Sequence, residues 1–151
     1  MCIRDSGYNE TISLTFISKE DARRFSTAAE IDLANPLSDE ASVMRTSMVP
    51  SMLNMLGYNL NRGSDNVRLF EAGTVFEALG AKSVELKRIS IGATGSVDAE
   101  VVRGLASGAA SRPFSFFDLK GDIESLLAPF SHWTLYYDAQ TADYYLSLIH
   151  I

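Results

Sequence analysis

Apolar and polar residues alternate at the start of the chain and again near its middle, with helical spacing between. From Gly7 to Ile17, Ile12, Leu14 and Phe16 fall on one side and Thr11, Ser13 and Thr15 on the other. That period of two predicts a half-buried strand. Ser18 with Asp21 three positions on matches a helix-capping pattern, which predicts a short helix over Lys19–Phe25. Glu30–Ala34 alternates again, with Ile31 and Leu33 together, and Asn35-Pro36 stops it. Proline disfavours helical geometry in the residue before it, so this reads as an extended entry to a turn.

Asp39–Arg45 leads to Thr46 and Ser47, either of which could cap the next helix. Pro50 is tolerated in a first turn, where amides have no intrahelical acceptor to lose. Val49, Met52, Leu53, Leu56 and Leu60 then recur at three- and four-residue spacing as one apolar stripe, flanked by Met48 and Met55. Methionine is an adaptable filler, which suits core packing or a partner helix. Gly63 is expected to end this helix with positive φ. After the short turn Ser64–Asn66, Val67–Phe76 and Lys82–Thr94 read as two strands joined near Leu79–Ala81. Val97–Arg112 is rich in Gly, Ala and Ser and reads as a loop or weak helix. Phe114–Phe117 leads into a helix over Asp118–Ala128, striped by Leu119, Ile123, Leu126 and Leu127 and stopped by Pro129. Trp133–Tyr137 and Tyr144–Leu146 are aromatic strand candidates. Hairpin-length links in the middle favour an α+β domain with a mainly antiparallel sheet over repeated βαβ units.

Composition narrows the function. The chain of 151 residues is 46% hydrophobic, which suits one globular domain with a core. Its net charge of −6, with both signs interspersed, supplies no global positive field for nucleic acid. No apolar run reaches the about 18 residues of a membrane span, and no signal peptide opens the chain. A single cysteine, Cys2, rules out an intrachain disulfide and points to a reducing, cytoplasmic setting. Met1–Ser6 precedes any pattern and residues 147–151 break off a strand-like run, so both ends read as non-native tails around a core of residues 7–146.

Candidate chemistry is sparse. GATGS at Gly92–Ser96 lacks the Gly-Lys-Ser/Thr ending of a phosphate loop and reads as a strand end. His132 beside Trp133 reads as a boundary residue rather than a general base. Asp118, Asp122 and Glu124 suit a helix N-terminal half better than a metal site. Arg45 and Arg68 adjoin apolar residues, where an unpaired guanidinium is costly. Each is expected either in an ion pair with Glu71, Asp39 or Glu40, or as a fork for phosphate or carboxylate.

NPLSDEASVMRTSMVP at Asn35–Pro50, followed by YNLNRG and VRLFEAGTVF, closely resembles the core of the bacterial-type phenylalanyl-tRNA synthetase beta subunit family. FFDLKGDIESLL at Phe116–Leu127 and GYNETISLTF at Gly7–Phe16 fit the same family in the right order. The resemblance implies a truncated class II aminoacyl-tRNA synthetase-like fold, an antiparallel sheet flanked by helices. It implies an assembly of two alpha and two beta subunits in which alpha binds ATP and phenylalanine and charges tRNA(Phe). This segment would pair with alpha without catalysing. ATP and Mg2+ are implied for the whole enzyme and no cofactor for this segment, and no membrane or DNA partner is implied.

The residues support a degenerate site. Catalytic class II domains carry Arg-x-Glu on one strand face, whereas Arg68 and Glu71 are three apart and fall on opposite faces of a regular strand. No catalytic, cofactor-binding or metal-binding residues are therefore assigned. The candidate structural or interface residues are Arg45, Met48, Met52, Leu56, Arg68 and Glu71. The alternatives are a class II-like domain that itself binds ATP or an amino acid, and a tRNA-contacting module.

Overall fold

The computed structural model describes residues 3–80, 82–97 and 112–130. Most of the expected Val97–Arg112 loop, both aromatic strand candidates, His132, Cys2 and the residues beyond 146 lie outside them. The described strands are β1 (Asn9–Glu10), β2 (Phe16–Ile17), β3 (Ile31–Asp32), β4 (Val43–Met44), β5 (Val67–Leu79), β6 (Lys82–Thr94), β7 (Ser96–Val97) and β8 (Arg112–Pro113). The α-helices are α1 (Lys19–Phe25), α2 (Val49–Leu60) and α3 (Phe116–Leu127), with short 3-10 turns at Ile3–Ser6 and Asp39–Ala41.

The fold is mixed α+β, as expected, but its described strands form three small sheets ordered β1-β5-β6, β2-β4-β3 and β7-β8. The pairs are antiparallel except β1 with β5, which is parallel, with Asn9 opposite Leu69. The β5–β6 hairpin is the frame. It pairs Val67 with Thr94 at its base and Leu79 with Lys82 at its tip, so β5 runs past Phe76. Backbone bonds stitch the β2-β4-β3 sheet to β5: the Phe76 amide donates to the Arg45 carbonyl at 2.9 Å, and the Ala78 amide to that of Ala29 at 3.0 Å.

The face of the hairpin that carries Val67, Leu69, Glu71, Gly73 and Val75 lies under α2. Met52, Val67 and Leu69 form a buried cluster there, with Met55 and Leu56 against it. Fully burying side chains of this size is worth about 1.5–3 kcal/mol each. Two glycines allow the close approach. A Cβ at Gly92 would stand 2.8 Å from Met52 Cγ, and one at Gly73 would stand 2.9 Å from Met48 Cε.

The structure corrects several expectations. Gly7–Ile17 is not one strand, because β1 and β2 are separated by Thr11–Thr15. Ile12 and Leu14 are not on a buried face but 85% and 73% exposed, while Tyr8 and Ile17 are buried. Ser13 takes the inward place because its hydroxyl bonds buried charged groups, described below. The α2 stripe is rotated from expectation. Met52 is buried and Leu56 packs beside it as expected, but Leu53 and Leu60 are half exposed, and Met48, Pro50 and Ser51 are buried instead. Neither Thr46 nor Ser47 is the N-cap; Met48 is, although the Ser47 hydroxyl accepts the Val49 amide at 3.2 Å. Gly63 does have positive φ, but α2 already ends at Leu60 with Asn61 as its cap. The helix expected over Asp118–Ala128 begins two residues earlier, at Phe116.

The helix caps follow their sequences. At α1 the Ser18 hydroxyl accepts the Asp21 amide at 3.0 Å. At α3, Ser115 and Asp118 form a reciprocal capping box.

Candidate functional site

The hairpin divides the candidate residues between its two faces. On the α2 face, Arg45 follows β4 and sends its side chain across β5. Its Nη1 donates to Glu71 Oε1 at 2.8 Å and to Ser13 Oγ at 2.9 Å, while its Nε donates to the Thr74 carbonyl at 2.8 Å. Ser13 Oγ in turn donates to Glu71 Oε2 at 2.7 Å. Both charged side chains are almost wholly buried, Arg45 at 2% and Glu71 at 4% exposure. Gly73 is what lets the guanidinium pass, since a Cβ there would overlap Arg45 Nη2. This is a closed structural pin, in which charge is matched by charge and both carboxylate oxygens have donors. It is the Arg45–Glu71 ion pair that the sequence offered as one reading.

Met48 and Met52 lie beside this pin, each 4% exposed, and Leu56 packs on the buried cluster. All three belong to the chain's own interior. What α2 turns outward is Leu53, Tyr58 and Leu60, at 50%, 53% and 44% exposure. The Arg62 guanidinium lies 3.5 Å from the Tyr58 ring centre and holds that ring at the surface.

Arg68 lies on the opposite hairpin face. Its expected ion pair with Glu71, Asp39 or Glu40 does not form, because Glu71 points the other way into the pin. Its guanidinium stands 5.1 Å from the Phe114 ring centre, and Nη1 is 3.4 Å from the Ser6 carbonyl. Nearby, Tyr8 donates its hydroxyl to Asp122 Oδ2 at 2.8 Å, which ties the start of β1 to α3. Burial and this bond to a carboxylate push the Tyr8 hydroxyl well above its ordinary pKa. Asp118 is held well below the usual carboxylate range by Arg112 and by the Ser115 hydroxyl and amide.

No group of three or more His, Cys, Asp or Glu among the described residues could hold a metal ion. The Tyr8–Asp122 tie was not anticipated from the sequence, and a separation of 114 residues leaves no local signal for it.

A family model described as the phenylalanyl tRNA synthetase beta chain CLM domain matches residues 2–147. The chain belongs to that family. The phenylalanine–tRNA ligase beta subunit of Burkholderia lata is 40% identical over 131 residues, which cover 81% of this chain and 16% of that protein. That of Xylella fastidiosa strain Temecula1 is 40% identical over 123 residues, covering 79% and 15%. The chain thus spans about a sixth of the length of these beta-subunit relatives. Among solved structures, a pyrrolysyl tRNA synthetase from Desulfitobacterium hafniense shares the fold with a TM-score of 0.52 at 18% identity. That likeness covers 85% of this chain and 41% of the other.

Proposed function

We propose that this segment is the non-catalytic, class II-like core of a phenylalanyl-tRNA synthetase beta subunit. It pairs with a catalytic alpha subunit in a cytoplasmic heterotetramer that charges tRNA(Phe) with phenylalanine. ATP and Mg2+ belong to the alpha site of the whole enzyme. The observation that carries this reading is the division of the hairpin faces. Glu71 is consumed in the buried pair with Arg45, while Arg68 faces Phe114 on the other side. Rotating Glu71 toward Arg68 would leave Arg45 buried and uncompensated, at a cost of several kcal/mol. That cost argues against a catalytic arrangement of Arg68 with Glu71.

The test is ATP binding and ATP–pyrophosphate exchange by the full-length beta subunit alone. Neither should be detectable, and saturable ATP binding would overturn the non-catalytic reading. Pairing with alpha has a separate test. Met52 and Leu56 face the hairpin, so acidic substitutions there would unfold beta whatever its partner. Leu53→Asp with Leu60→Asp should keep beta folded and abolish its co-purification with alpha. Full retention of the complex would place the interface elsewhere.

A further inference from the structure

We draw no further inference here: the strongest candidate, the open apolar patch on the hairpin face opposite α2, where Ile12 and Leu14 adjoin the exposed Ala72 and Ile89, carries nothing because nothing in the structure shows what covers it.

Discussion

At the scale of single residues, the buried Arg45–Glu71 pair dominates. Its worth is best stated through its removal. Glu71→Gln keeps the shape and deletes the charge, leaving Arg45 desolvated and unpaired. Breaking a buried pair from one side costs about 3–5 kcal/mol, so urea unfolding of the beta subunit should shift to a markedly lower midpoint. A loss below about 1 kcal/mol would mean that water or another group compensates Arg45. Gly73→Ala attacks the same pin sterically, because the new methyl would overlap the Arg45 guanidinium. Overpacking of this kind costs about 1–3 kcal/mol. Gly92→Ala should cost less than Gly73→Ala. Its clash is with the flexible Met52 side chain and the tip of Leu56, which can shift, whereas the Arg45 fork is fixed by three acceptors.

At the scale of elements, what was legible in the sequence depended on whether the signal was local. The Ser18–Asp21 cap and the two hairpin strands are written in adjacent residues and appear as read, save that β5 runs on from Phe76 to Leu79. Which side of an alternating strand faces the core is not local. Period two says that Ile12 and Ser13 point opposite ways, but only the distant Arg45 and Glu71 make the Ser13 side the inner one. The same holds for α2. Its stripe is centred on Met48 and Met52 rather than Leu53, because Gly73 and Gly92 lie beneath those two methionines. The opposite faces of Arg68 and Glu71 were readable from spacing alone. The capping box of α3 also gives an element-level prediction. Asp118 titrates below its unfolded value, so its contribution is present above the ordinary carboxylate range near pH 4 and is lost as pH falls through the lower folded value. The thermal midpoint of wild-type beta should therefore drop faster than that of Asp118→Asn on acidification below about pH 4. Parallel curves would mean that the Arg112–Asp118 contact adds nothing to folding.

At the scale of the whole molecule, the distribution of exposed apolar residues marks where a partner can act. The chain carries net charge −6, and α2 leaves Leu53 and Leu60, seven residues apart on one side, half exposed. A helix already packed on its inner side gains protection from a partner only through its outer side. If alpha covers that side, opening α2 must first release alpha. At a concentration 100 times its dissociation constant, bound alpha adds about 2.7 kcal/mol to that opening, which is on the order of a hundredfold slower amide exchange. Hydrogen exchange on the full-length beta subunit should then slow across residues 53–60 when alpha is added. The edge strand β3 at Ile31–Asp32, on the sheet that does not carry α2, should exchange as before. Uniform slowing across both would indicate general stabilisation of beta. No slowing at α2, with the complex intact by mass, would remove α2 from the interface and leave the exposed Ile12 and Leu14 as the next surface to test.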